Sequence, residues 1–304
     1  MIRGSGMRTL APAALPVPPW LLAVTAMFSV QLGSALSVGL IDNVGPAGTA
    51  WLRLSLGAII FLILARPPLR SIRLPDMPVL LGLGIATGVM TISFLVAIER
   101  IPLGTAVAIE FLGPLTVAAA RSRTARAAAW PALALLGVVL LTEPWQGAVD
   151  VVGIGFAALG AVCWGCYILL TQRAGDRFTG IQSLSITIPI AAVTAAIVGI
   201  PQAVGHLSLG IIAAAAGLAL LLPVLPFALE MLALRRMSAS AFGTLMAIEP
   251  ALGLLIGLVV LGQLPSIVQI IGILLVVLAG AAAQRGGDRN RHIQHDPITE
   301  TGLA

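Results

Sequence analysis

The sequence predicts an all-α polytopic membrane protein, with ten transmembrane helices arranged as two inverted five-helix repeats. Three observations carry that prediction. Of 304 residues, 59% are hydrophobic and only 10% are charged, against about 25% charged in ordinary soluble domains. The chain therefore lacks the residues to cover a soluble surface, and its mean hydropathy of +1.05 agrees. The apolar stretches are continuous rather than alternating, which fits spanning helices and not a β-barrel. Finally, the basic residues sort by side once ten spans are drawn. Disorder, collagen and a disulfide scaffold are excluded by the low charge, by 33 glycines without a three-residue period and by only two cysteines.

Runs of about 20 apolar residues mark spanning helices. They fall at 20–40, 48–65, 77–97, 103–120, 127–142, 151–171, 181–200, 208–233, 239–261 and 266–283. The first follows Arg3 and Arg8 but is too long for a signal peptide's apolar core, so it reads as an uncleaved span. Asp42-Asn43 and Gly45-Pro46 close it. Arg66-Pro67-Pro68 ends the second span, Arg100-Ile101-Pro102 the third, Arg121 follows the fourth, Glu143-Pro144 ends the fifth and Gly175-Asp176 follows the sixth. The seventh to tenth are read from continuous hydropathy, with Arg235-Arg236 separating the eighth from the ninth. From Gln284 the chain turns polar and reads as a disordered tail.

The formal charge of +5 and a pI near 10.9 raise the question of nucleic acid. All 17 basic residues are arginine. With the N-terminus inside, 15 of them fall on inner segments: Arg3, Arg8, Arg66, Arg70, Arg73, Arg121, Arg123, Arg126, Arg173, Arg177, Arg235, Arg236, Arg285, Arg289 and Arg291. Only Arg100 falls in an outer loop, and Arg53 lies within the second span. The basic balance thus reports topology, with both termini cytoplasmic and no nucleic-acid partner. His292 and His295 in the tail have the spacing of metal ligands on a helix, but no cysteine or carboxylate cluster accompanies them, so no metal is expected.

Ten spans divide into a short tail (1–19), a first half (20–147), a second half (148–283) and a C-terminal tail (284–304). Five spans per half force the second half to insert upside down. An offset of 136 residues aligns Ala97-Ile98-Glu99-Arg100 with Ala233-Leu234-Arg235-Arg236 and Pro114 with Pro250. Leu136-Gly137-Val138 similarly resembles Ile271-Gly272-Ile273. Inverted repeats are a common plan of secondary transporters, with the site at mid-membrane between the halves.

A charge near the bilayer centre costs about 2.5–3.5 kcal/mol on insertion scales. Four such residues stand inside the spans: Arg53, Glu110, Glu230 and Glu249. Glu110 precedes Pro114 by four residues and Glu249 adjoins Pro250, and proline opens a helix locally. A carboxyl beside an opened helix can hold an ammonium group or a proton, and two carboxyls in one dry cavity make a protonatable site. Arg53 offers a fork of donors to a carboxylate. One cation plus carboxyls is what a zwitterionic amino acid needs. Buried ion pairing is the competing expectation, above all for Glu230, with Arg235 and Arg236 in reach. Pro223 and Pro226 are expected to kink the eighth span. Gly84 with Gly88, and Gly253 with Gly257, have the spacing of close helix packing. Trp164 and Tyr167 in the sixth span are candidates to line a cavity. Cys163-Trp164-Gly165-Cys166 is a literal C-x-x-C in an apolar span with no basic neighbour, so packing is expected rather than redox chemistry. No Walker A loop, HExxH, GxSxG or dinucleotide fingerprint occurs, and no cofactor is expected.

Several stretches carry a resemblance. They are Arg53-Leu54-Ser55-Leu56-Gly57, the run from Ile101-Pro102-Leu103-Gly104 through Glu110-Phe111-Leu112-Gly113-Pro114, and Cys163-Trp164 through Gln172-Arg173-Ala174-Gly175. To these add Leu229-Glu230-Met231-Leu232-Ala233-Leu234 and Phe242-Gly243-Thr244-Leu245-Met246-Ala247-Ile248-Glu249-Pro250-Ala251-Leu252. Together they resemble the drug/metabolite transporter superfamily in its ten-helix EamA form, and within it the bacterial threonine/homoserine exporters. Gln263 departs from the glutamate common in the broader family. The resemblance implies proton-coupled export of small neutral amino acids across a bacterial inner membrane. It implies Glu110 or Glu249 as the proton and ammonium residue and Arg53 as the carboxylate residue. A permease for another metabolite or drug is the alternative within that class, and a membrane-embedded enzyme the alternative outside it. Two repeats in one chain let a monomer suffice, with a homodimer left open.

Overall fold

The computed structural model describes residues 17–65, 74–121, 129–146, 150–174, 181–237 and 239–292, and all regular structure among them is helical. Twelve α-helices follow one another. They are α1 (Pro19–Leu64), α2 (Met77–Arg100), α3 (Leu103–Glu110), α4 (Leu112–Arg121), α5 (Ala129–Thr142) and α6 (Val151–Ala174), then α7 (Ile181–Ala203), α8 (Leu209–Ala219), α9 (Leu225–Leu234), α10 (Ala239–Met246), α11 (Glu249–Leu261) and α12 (Ile267–His292). Seven helical stretches are long and apolar enough to cross a membrane: 19–64, 74–100, 103–120, 151–173, 182–203, 209–234 and 241–261. Two shorter apolar helices, Ala129–Thr142 and Ile267–Ala283, accompany them. The protein is a multi-pass helical membrane protein. Of the residues used to sort the loops, Arg3, Arg8, Arg66, Arg70, Arg73, Arg123, Arg126 and Arg177 lie outside the described residues, as does His295.

The longest helix, α1, replaces the first two expected spans and their loop. Helical hydrogen bonding runs to Val44 and resumes at Pro46, leaving Gly45 alone at φ 70°, ψ 168°. The chain reverses there. Arg53 Nη1 donates to Ser37 Oγ at 3.1 Å, whereas 16 residues of straight helix would separate the two by about 24 Å. The reversal takes one residue because each group it exposes is met locally. Pro46 has no N–H to lose and a φ already set for a helix start. The next two amides, of Ala47 and Gly48, donate to Gln202 Oε1 of α7 at 2.8 and 3.0 Å. Gly45 is required twice over, by its positive φ and because a Cβ there would run into the Gln202 amide.

Two later crossings are broken in their middles. Proline lacks an N–H and crowds the carbonyl four residues back. Pro114 therefore frees the carbonyl of Glu110, where α3 ends, and Pro250 that of Met246, where α10 ends. Phe111 bridges α3 to α4, and Ala247-Ile248 bridge α10 to α11. The stretch from α8 to α9 passes through a π-helical turn, Leu220–Val224, that holds Pro223, while Pro226 sits in the first turn of α9. Ser29 Oγ of α1 donates to the Leu221 carbonyl in that turn at 2.8 Å, as irregular backbone at membrane depth requires.

Close packing uses glycines where expected. Cβ atoms on Gly84 or Gly88 of α2 would press into α7, the latter within 2.8 Å of the Ala191 carbonyl. The core is centred where α1, α2, α3 and α7 meet, around Phe61, Leu95, Leu103 and Ile188. The tail read as disordered from Gln284 begins as helix, since α12 carries on from its apolar part to His292.

Candidate functional site

Arg53 lies in the second limb of α1, 4% exposed. Its hydrogen bond to Ser37 Oγ is its partner in the fold, and no carboxylate comes within ion-pair distance among the described residues. A buried guanidinium normally rests on a carboxylate. Here a neutral hydroxyl fills one of its five donor positions. One and two turns along the same limb, Gly57 packs on Pro223 and Phe61 meets Phe227 edge-on at 6.2 Å.

Glu249 opens α11 and is 6% exposed. Gln31, on the first limb of α1 and 1% exposed, donates its amide Nε2 to Glu249 Oε1 at 3.2 Å. Glu110 closes α3 and reaches the bare backbone of α6. A Cβ on Gly160 would come within 2.9 Å of Glu110 Oε1. The Glu110 and Glu249 carboxyls are electrostatic neighbours, as are Glu249 and Glu230. Because Glu110 stands at the carbonyl end of a helix and Glu249 at the amide end of one, they sit in opposite backbone fields.

α6 supplies the facing wall. Gly160, Trp164 and Tyr167 follow at i, i+4 and i+7 and so share one face. Trp164 meets Phe111 edge-on at 6.3 Å, beside the α3–α4 break. The Tyr167 hydroxyl is an electrostatic neighbour of Glu230. The structure thus gathers Glu110, Glu249, Glu230, Trp164 and Tyr167 along one seam between the first and second halves of the chain. Arg53 is set apart from the carboxyls. Its anchor Ser37 lies six residues from Gln31 on one helix limb, about 9 Å along the axis. Glu230 makes no ion pair with Arg235 or Arg236 among the described residues. Arg236 Nη1 instead donates to the Val17 carbonyl at 2.9 Å. Cys163 and Cys166 are free thiols.

Gln31 and Ser37 were not among the sequence candidates, which were charged residues, two aromatics of the sixth span and prolines. The signal was present: Gln31 is the one amide side chain near the middle of any apolar run in the chain. Ser37 carries no comparable signal, since serines at helical spacing are ordinary packing residues.

Polar links also join the two halves at one end of the bundle, since successive crossings place these termini together. Glu143 Oε1 accepts from Ser266 Oγ at 2.8 Å and from Gln146 Nε2 at 2.7 Å. Gln263 Oε1 accepts from the Leu103 amide at 3.0 Å, so the departure at Gln263 caps the start of α3. Arg100 pairs with Asp150 at 3.4 Å. The Asp150 carboxyl also caps α6 through the Gly153 amide at 2.7 Å. That amide, with Arg100, holds its pKa below the ordinary carboxylate value.

Comparison with known proteins follows this geometry. The profile of the EamA-like transporter family matches residues 151–282. The threonine/homoserine exporter RhtA of Salmonella typhimurium (strain SL1344) is 37% identical over 274 residues, 88% of this chain and 90% of that protein. RhtA of Escherichia coli (strain K12) is 36% identical over 276 residues, 86% of this chain and 91% of that protein. One crystal structure aligns with a TM-score of 0.60 at 21% identity over 90% of this chain and 98% of its own, a likeness of fold. The chain belongs to the EamA-like transporter family, a family of transporters and not of enzymes.

Proposed function

We propose that the protein is a secondary-active exporter of small neutral amino acids such as threonine and homoserine, working by proton antiport with alternating access. The observation that carries this is Arg53: a buried, permanently charged fork with a hydroxyl for a partner and no carboxylate among the described residues. A substrate carboxylate is the counterion it lacks. About 9 Å along α1 lies a seam of carboxyls that suits an ammonium group. A small α-amino acid carries both groups, one for each kind of partner. The names of the curated relatives support the same substrate class.

In this reading α1 crosses the membrane twice, the short helices α5 and α12 each cross once, and ten spans form two inverted halves at 20–147 and 148–283. The equivalence of the two helix breaks supports it, since Phe111 and Ala247 stand 136 residues apart, the offset that aligns Pro114 with Pro250. The family match at 151–282 supports it too, covering one half alone. Both termini face the cytoplasm of a bacterial inner membrane, by the arginine sorting. Glu110 and Glu249 carry the proton and the ammonium, and Trp164, Tyr167 and Glu230 line the path. The halves rock about the site.

The test is a proteoliposome panel of threonine, homoserine, an aromatic amino acid and a cationic dye, each with and without a pH gradient. Gradient-stimulated transport of the first two is expected. Transport confined to the dye or the aromatic amino acid overturns the substrate assignment in favour of a permease for another metabolite or drug.

A further inference from the structure

We propose that Gln31 and Glu249 together form a subsite selective for ammonium groups that carry N–H bonds, in which Gln31 is the specificity-determining residue. Two atoms point to it. Glu249 Oε1 is taken by the Gln31 amide, but Glu249 Oε2 and Gln31 Oε1 are buried with no hydrogen-bond partner among the described residues. Leaving such atoms unpaired costs about 1–3 kcal/mol each, more for a charged one, so a buried pair of orphans on adjoining groups calls for a donor. With Glu249 ionised, as it is when it holds a cation, both orphans are acceptors. Turning the amide over would set its oxygen against the carboxylate, so the electrostatics of the pair fix Nε2 toward Glu249 and leave Oε1 open. A Cβ on Gly253, one turn beyond Glu249, would stand 3.4 Å from the open oxygen.

The chemistry of the missing ligand follows from these acceptors. A primary ammonium has three N–H donors on one small cation, enough to supply both orphans. A quaternary ammonium has the same charge and no donor, so it gains the Coulomb attraction of Glu249 and leaves Gln31 Oε1 unpaired. A site built to hydrogen-bond a group rejects analogues without it far more strongly than it rejects a change of size. Glu249 alone would attract either cation, and Gln31 makes the difference.

This deepens the amino-acid reading and rests on it only for the identity of the whole substrate. The experiment therefore uses simple amines as well. Purified protein is treated with N,N′-dicyclohexylcarbodiimide, and labelling of the Glu249 carboxyl is read by peptide mass spectrometry, with Glu249→Gln as the blank. Propylammonium, tetramethylammonium and L-threonine are titrated as protectants. Propylammonium and threonine are expected to protect Glu249, and tetramethylammonium is not. In Gln31→Met, which keeps the length of the side chain and removes its oxygen, the half-protecting concentration of propylammonium is expected to rise about tenfold or more. Equal protection by tetramethylammonium, protection by no amine, or an unchanged titration in Gln31→Met overturns the proposal. Should that variant fail to fold, the two amines on the native protein decide alone. Protection by propylammonium without protection by threonine leaves the ammonium subsite standing and removes the amino-acid reading.

Discussion

Arg53 poses the strongest chemical demand in the protein, because its charge cannot be removed by losing a proton at any physiological pH. The Ser37 hydroxyl offsets only part of the cost of its burial. If the guanidinium holds a substrate carboxylate, Arg53→Gln removes a charge-assisted, forked contact worth about 1.5–3 kcal/mol or more, a fall of roughly 10- to 100-fold in kcat/KM. Arg53→Lys keeps the charge without the fork and is expected to fall between the two. Initial rates of threonine transport at matched protein density in vesicles check this, and rates equal to the native protein's in both variants remove Arg53 from the site. Arg53, Glu110, Glu230 and Glu249 were all legible in the sequence because a charge in an apolar run is conspicuous. Which of them share a neighbourhood was not. Glu110 and Glu249 stand at helix breaks far apart in the chain and Glu230 comes from mid-α9, whereas Arg53 lies on the limb of α1 beyond the reversal at Gly45.

The reversal of α1 depends on Gln202, which accepts from two amides that would otherwise point unpaired into the bundle. Gln202→Leu leaves both amides without that partner, and a loss of about 2–4 kcal/mol in stability is expected. It is read as a clear drop in Tm in detergent, and an unchanged Tm would show that the cap is dispensable. Asp150 makes a different kind of prediction. Its carboxyl caps α6 and is held below its ordinary pKa, first by the Gly153 amide and also by Arg100. A lowered folded-state pKa contributes stability above the unfolded value, and that contribution is lost as pH falls through the folded value. The Tm gap between the native protein and Asp150→Asn is therefore expected at neutral pH and should narrow in acid. A gap independent of pH would contradict it. The sequence showed Gly45-Pro46 as a break and placed a seven-residue loop there. A single residue suffices because its cap, Gln202, comes from another helix and leaves no local signature. The central breaks were easier to foresee, since Pro114 and Pro250 act on their own chain four residues back.

For the molecule as a whole, the polar links at one end tie the first half to the second through Glu143–Ser266, Gln263–Leu103, Gln202–Ala47 and Arg100–Asp150. Under the proposed alternating access, some of these links loosen while the carboxyl seam changes the side it faces. The multi-pass helical class was plain from composition and hydropathy. The proposed pairing of halves rests on the 136-residue offset, a weak signal because repeats that share a backbone plan leave lipid-facing positions free to vary. In the proposed antiport a zwitterion leaves as a proton enters, which moves one positive charge inward per cycle and draws about 2.3 kcal/mol per 100 mV from the membrane potential. The direct measurement loads vesicles with threonine and a pH-sensitive dye, imposes an outward threonine gradient and no pH gradient, and follows lumenal pH. The account predicts that threonine efflux acidifies the lumen in the native protein, and that replacing both Glu110 and Glu249 by glutamine abolishes the acidification. Rapid threonine efflux with no change in lumenal pH would contradict it.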